Sequence, residues 1–395
     1  MTVVAETDSA AESAGAGFFV KTGGRDEPNE IEGVSHFLEH MMFKGTEELS
    51  AEDINRGFDE IGARNNAYTS HEITCFYAHV LPEAMEKNIE LLAKMMRPAL
   101  RQSDFDTEKQ VILEEIAMYK DDPFWVVYEE TMRRHYAGHP MGHRVLGSVE
   151  SITALTRDRM LGYFTDRYSA DNTVVSLAGR VDFDSACDQI QSLCASWQRT
   201  KPARDNSRPP VACESFVEKS DRVNRTHLLA FADGPAMDDD RRYAAALLGQ
   251  ILGGPDNSRL HWALVETGIA EQAVAGSDPH DGCGAYYFYA TGAPERADEI
   301  WATMQQEIAG LHDSLNEDDL ARLRARFATT VTIGGERPAD RMQRLGRMWA
   351  YLGEYLPLEV ELDRINRVTL DDLRTTLEAF PLDKCTLGRL EPAGA

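Results

Sequence analysis

The feature that most constrains this chain is that it repeats itself. Ile152-x-x-Leu155-Thr156-x-Asp158-x-Met160 returns as Ile365-x-x-Val368-Thr369-x-Asp371-x-Leu373, an offset of 213 residues (152 to 365). In both copies a threonine able to cap a helix precedes the helical pattern. Leu177-Ala178-Gly179-Arg180 follows a strand-like Thr-Val-Val-Ser, and Leu387-Gly388-Arg389 holds the corresponding place in the second half. Pro82-Glu83 opens an amphipathic helix with Ile89, Leu92 and Met96 on one face, and Pro294-Glu295 opens another at nearly the same offset. A chain that doubles over this distance is expected to build two similar units. The 395-residue length agrees, against roughly 100–200 residues per domain. The stretch 196–211 is polar and rich in proline and lacks either periodicity, which marks it as the connection. The expected organisation is a catalytic domain over 1–200, a linker over 201–211 and a degenerate repeat over 212–395.

Each half mixes strand candidates (17–21, 74–80, 173–177 and 285–290) with several helices of ten or more residues, without regular alternation. That pattern predicts an α+β fold of two repeated domains, each a mainly antiparallel sheet covered by helices. With 43% hydrophobic and 27% charged residues the whole chain is expected to fold. No run of about 18 apolar residues occurs, and residues 1–15 lack a basic cluster followed by an apolar stretch, so a soluble, cytoplasmic protein is expected. The formal net charge of -25 opposes binding to nucleic acid and to anionic membrane surfaces, and favours basic over acidic substrates. Six scattered cysteines without a Cys-x-x-Cys pair read as reduced thiols, mostly buried.

The chemistry concentrates in residues 33–45. Gly33-Val34-Ser35-His36-Phe37-Leu38-Glu39-His40-Met41-Met42-Phe43-Lys44 reads as a helix ending at Gly45. Residues four apart on a helix lie about 40° from each other around the axis, so His36 and His40 project from one side with Glu39 beside them. Two imidazoles so placed can share one ion, and a catalytic zinc needs a third protein ligand with an open position for water. A second helix, from about Asp104 to Tyr119, can supply it. There Glu108 and Glu115 share a face two turns apart, whereas Glu114 points about 100° away from Glu115. Glu115 is therefore the expected third ligand, with Glu108 accepting a hydrogen bond from a ligand imidazole or a neighbouring group. At the repeat offset, positions 36, 40 and 115 fall near Leu248 or Gly249, Leu252 or Gly253, and Phe327 or Ala328, none of which binds zinc. Only the first half is expected to carry the metal chemistry.

These residues resemble the pitrilysin- or insulinase-type zinc peptidases with the inverted His-x-x-Glu-His motif, the inverzincins. The resemblance extends to Gly24-Arg25-Asp26-Glu27-Pro28, to His40-Met41-Met42-Phe43-Lys44-Gly45-Thr46, to Asn66-Ala67-Tyr68-Thr69-Ser70, to 108–123, and to Gly253-Gly254 with Ser258-Arg259-Leu260. It covers essentially the whole chain, and the 395-residue length resembles the smaller members, among them mitochondrial processing peptidase subunits and their bacterial relatives. It implies Zn2+ held by His36, His40 and Glu115, Glu39 as general base, and Glu108 as the supporting carboxylate. It also implies that Asn66 and Ala67 lie on an edge strand where an extended peptide pairs backbone to backbone. A dimer follows by resemblance, either a homodimer or a heterodimer with a related subunit. Tyr286, Tyr287 and Tyr289 are candidates for substrate contacts from the second half. The expected function is hydrolysis of peptide bonds in extended, unfolded peptides. A catalytically silent assembly subunit and a small-molecule metallohydrolase are the competing readings; retention of all four motif residues argues against the first, and the Asn66-Ala67 segment against the second.

Overall fold

The computed structural model describes residues 1–394, and its contacts divide the chain into two units. The first contains a five-stranded sheet of β1 (Thr2–Thr7), β2 (Ala14–Val20), β3 (Arg64–Thr69), β4 (Thr74–Val80) and β5 (Thr173–Gly179). Their spatial order is β1-β5-β2-β4-β3. β1 runs parallel to β5 and the other pairs are antiparallel. β2 and β5 are buried along their whole length, which explains why they read as near-continuous runs of small and apolar residues rather than as an alternation. On one face Phe18, Phe76, Val175 and Leu177 join a core with Phe37, Leu38 and Met41 of helix Val34–Met42 and with Ile89 and Leu92 of helix Met85–Met95. On the other face Phe19, Cys75, Val174 and Ala178 pack with Met342 and Leu345 of helix Pro338–Leu352. The hydroxyl of Ser176 donates to the Met342 carbonyl at 2.8 Å, so this helix lies directly on the sheet.

The second unit repeats the plan. β6 (Ser215–Ser220), β7 (Thr226–Asp233), β8 (Gln272–Pro279), β9 (Gly284–Gly292) and β10 (Cys385–Pro392) lie in the order β6-β10-β7-β9-β8. β6 is parallel to β10 and the rest are antiparallel, so the two sheets match strand for strand. Leu228, Ala230 and Phe288 pack with Leu248 and Leu252 of helix Arg242–Gly253. Leu229, Phe231 and Leu390 face the opposite way, onto Val127 and Met132 of helix Pro123–His135. The repeat landmarks occupy equivalent places. Thr156 caps helix Arg157–Arg167 and Thr369 caps Leu370–Ala379, each through its side chain. The short turns Pro82–Ala84 and Pro294–Arg296 lead into Met85–Met95 and Ala297–Ala309. The fold is α+β, two mainly antiparallel sheets covered by helices.

The units are not contiguous in sequence. Unit 1 takes Met1–Ile116, His143–Asp205 and Thr332–Leu356, and unit 2 takes Ala117–Gly142, Asn206–Val331 and the chain from Pro357 onward. Helix Pro123–His135 belongs to the second unit and Pro338–Leu352 to the first, whereas a division at 201–211 assigns each to the other half. The physical reason is that both sheets are apolar on both faces, so each needs a helix on each face to remove its side chains from water. Among the described residues, no helix is long and apolar enough to cross a membrane.

Candidate metal centre

The helix that carries the motif, Val34–Met42, begins at Gly33, whose φ of 91° lies in the left-handed region. A Cβ there would meet the Leu146 carbonyl at 2.5 Å, so glycine is required. Gly33 has no side chain with which to cap, and Glu27 does this from a distance. Its carboxylate oxygens accept the backbone N–H groups of Gly33 at 2.6 Å and Ser35 at 2.7 Å. Burial pushes the Glu27 carboxyl up to about 8, against the opposing effect of these hydrogen bonds. The Ser35 hydroxyl lies 2.9 Å from that of Tyr163, which lies 2.7 Å from that of Thr22. The first turn is thus fixed one residue before His36.

His36 and His40 project from the same side of this helix, their ring centroids 4.7 Å apart. Helix Gln102–Tyr119 brings Glu115 to them. Its Oε2 lies 3.7 Å from His36 Nε2 and 3.5 Å from His40 Nε2. One ligand atom from each of the three residues falls within 4.8 Å of the others. Donors about 2.0–2.1 Å from a tetrahedral zinc stand roughly 3.3–3.5 Å apart, so the two imidazole–carboxylate distances match the ion to within a few tenths of an ångström. Glu114 is exposed on the same helix and outside the cluster.

Protonation at His36 also suits a metal. Burial, helped by the neighbouring His40, lowers His36 to about 3, which leaves it neutral at pH 7 with a lone pair to donate. At His40 burial also favours the neutral ring, but the hydrogen bond to Glu108 and the charges of Glu115, Glu108 and Glu39 outweigh it and raise the pKa. Glu115 is raised by burial, with Glu108 adding and His40 opposing. A divalent cation at the three donors would relieve this excess of negative charge. Two imidazoles and one carboxylate form the donor set of a catalytic zinc with a position left for water.

Glu108 lies behind the cluster, 3% exposed. Its Oε1 is 2.8 Å from His40 Nδ1 and its Oε2 is 2.5 Å from Lys44 Nζ. Burial alone would raise this carboxyl, but the hydrogen bonds from His40 and Lys44 hold it below the usual range. With Nδ1–H donating to Glu108, the other ring nitrogen of His40 faces Glu115 as a lone pair. The sequence reading contains no role for Lys44, although it lies four residues beyond His40. Glu39 Oε2 accepts a hydrogen bond from Thr69 Oγ1 at 2.6 Å. Burial raises its pKa, with Thr69 and His40 opposing and Glu115 adding. Thr69 closes β3, the strand that carries Asn66 and Ala67, and β3 is an edge strand paired only with β4. The Ala67 N–H is bonded to Asn66 Oδ1 at 2.9 Å.

In the second half, Leu248, Gly249, Leu252 and Gly253 are buried in helix Arg242–Gly253, and Phe327 and Ala328 lie in helix Glu317–Gly334. Among the described residues, no second metal-ligating cluster occurs. Tyr286 is fully buried, whereas Tyr287 and Tyr289 line a cleft of about 430 Å³ with Phe124, Tyr128 and Phe231.

Comparison with known proteins identifies the family. Residues 2–148 match the description of insulinase, peptidase family M16, and residues 154–327 match that of the peptidase M16 inactive domain. An uncharacterized zinc protease of Rickettsia felis is 30% identical over 378 residues, 95% of this chain and 92% of that protein. The chain belongs to peptidase family M16, the insulinase family of metallopeptidases. A zinc protease of Streptomyces coelicolor is 31% identical to this M16 chain, covering 94% of it and 83% of the relative. The fold is shared with a protease from Helicobacter pylori at a TM-score of 0.93 and 20% identity, over 99% of this chain and 96% of that one. It is also shared with a chain of complex III2 from Candida albicans, at a TM-score of 0.85 and 17% identity, over 98% and 93% of the two chains.

Proposed function

We propose that this M16 chain is a zinc-dependent endopeptidase that hydrolyses extended, unfolded peptides. The observation that carries the reading is that Glu39, the carboxylate beside the three-donor cluster, is tied through Thr69 to an edge strand. His36, His40 and Glu115 would hold the ion. When bound, zinc supplies an electrophile and an acidified water.

The chain's own residues do the rest. Thr69 holds one oxygen of Glu39 and leaves the other for a water or a scissile amide. Its raised pKa brings this carboxylate nearer to neutrality, which suits a base that takes the proton from water and returns it to the leaving amine. Glu108 fixes the His40 ring. β3 offers an unpaired edge, where the Asn66 carboxamide bonded to the Ala67 N–H occupies a place that an incoming carbonyl would take. Pairing through the backbone selects extended chains over particular sequences. The second domain, without metal ligands, contributes to substrate binding. The family resemblance adds a dimer, with an identical or a related subunit. Metal analysis combined with an assay against a mixed peptide library tests the reading. Stoichiometric zinc and zinc-dependent cleavage of unfolded peptides are expected; zinc-loaded protein that cleaves none of them, alone or with a related subunit, would overturn it.

A further inference from the structure

Two of the six cysteines, 172 positions apart (213 to 385), are brought to neighbouring places in the second unit. β6 and β10 are parallel, with Ser215 opposite Leu387. Two residues back along each chain stand Cys213 and Cys385. The backbone on either side of Cys213 is pinned. The Ala212 N–H donates to the His135 carbonyl at 2.8 Å, and the Ala212 carbonyl accepts the Thr386 hydroxyl at 2.7 Å. On the other side, the Glu214 carbonyl accepts the Leu387 N–H at 2.8 Å. The chain before β6 therefore runs beside β10 down to the level of Cys385. Strands in such a pair are about 4.7–4.9 Å apart, inside the window of roughly 4.4–6.8 Å between Cα atoms that a disulfide spans, and Cys213 lies two residues before β6 begins. Within β10 the side chain of Cys385 shares the face of Leu387.

The two thiols differ in exposure. Cys213 is exposed, Cys385 is half-buried against the core of the unit, and both are free. Cys75, Cys194 and Cys283 are buried. We propose that Cys213 and Cys385 form a thiol–disulfide exchange site that reacts with low-molecular-weight disulfides and closes reversibly into a cross-strand disulfide. In the first step the Cys213 thiolate attacks one sulfur of glutathione disulfide, the S–S bond breaks, one glutathione thiolate leaves, and a mixed disulfide remains. In the second, Cys385 gives its proton to solvent and attacks Cys213 Sγ, expelling the second glutathione thiolate. Two cysteine thiols are oxidised to one cystine, and one glutathione disulfide is reduced to two thiols. The product joins the exposed edge strand β6, and the segment connecting it to the first unit, to the last strand of the sheet.

Cys385 limits the rate. Burial pushes its thiol up to about 11, and the adjacent Cys213 and Asp383 add to this. Its thiolate fraction, and with it the second step, should rise about tenfold per pH unit across the neutral range.

The full-length protein is incubated with glutathione disulfide at pH 7, 8 and 9, alkylated, and mapped by intact mass and peptide mass. Loss of two thiols is expected, with Cys213 and Cys385 in one linked peptide, reversal by dithiothreitol, and faster closure at higher pH. Cys385→Ala should stop at a glutathione adduct on Cys213, and Cys213→Ser should give neither product, while circular dichroism reports whether each variant is folded. A persistent adduct on Cys213 of the wild-type protein with Cys385 still alkylated, or a Cys213 disulfide between two chains, would overturn the proposal. The readout is independent of zinc and of peptide cleavage.

Discussion

Glu108 holds His40 by its far side: Oε1 stands 2.8 Å from Nδ1, so the nitrogen left over is the one that faces Glu115. Two residues 68 positions apart thereby set the tautomer on which the proposed metal binding depends. Removing the charge of the acceptor while keeping its shape should loosen the ring without removing a ligand. Glu108→Gln is expected to weaken zinc binding by about 10–100-fold. Competition against a chelator of known affinity measures it, and unchanged affinity would leave Glu108 without the orienting role.

Glu39 bonds to Thr69 and lies outside the set of metal donors. Glu39→Gln should therefore keep stoichiometric zinc while lowering kcat by about 10²–10⁴-fold. Metal content and turnover measured on one preparation test both halves of the statement. Substantial turnover would remove Glu39 as the base.

Adjacent glutamates on helix Gln102–Tyr119 should behave differently. Glu115→Gln and His40→Ala are expected to lose zinc, because each removes one of three donors. Glu114→Gln, exposed and outside the cluster, should retain it. Equal losses at Glu114 and Glu115 would mean that a different carboxylate completes the site.

Glu27 should leave a signature in stability against pH. Its folded pKa of about 8 lies above the ordinary 4.5, so between those values the folded state binds more protons than the unfolded one. The favourable contribution is complete below about pH 4.5 and is lost as pH rises through 8, at a slope of up to about 1.4 kcal/mol per pH unit. Denaturant unfolding of wild type and Glu27→Gln across this range should show their difference shifting against the wild type as pH rises. Parallel curves would contradict the assignment.

A fragment ending near Arg204 lacks helix Pro338–Leu352, which covers Phe19, Cys75, Val174 and Ala178. It should aggregate or bind zinc poorly even though all four motif residues are present. Joining residues 332–356 to that fragment should restore soluble, zinc-binding protein, as sedimentation and metal analysis would show. A short fragment that is already monomeric and loads zinc fully would mean that the helix is dispensable.

Much of the site was legible because its signals are local. His36 and His40 share a helix face by spacing alone, Glu108 and Glu115 share another, and the repeat is written in caps and proline helix starts. The four-residue step and the two-turn step are properties of any α-helix, so they survive whatever the surroundings do. Tertiary structure alone decided the rest. That Glu27 caps the motif helix, that Thr69 holds Glu39, that Lys44 closes the far side of Glu108, and that helices Pro123–His135 and Pro338–Leu352 fold with the opposite halves all depend on elements meeting after folding. No periodicity marks such partners, because a hydrogen-bond acceptor or an apolar helix face has the same local pattern whichever donor or sheet it finds. What selects among them is the requirement that each buried polar group and both faces of each sheet be satisfied at once.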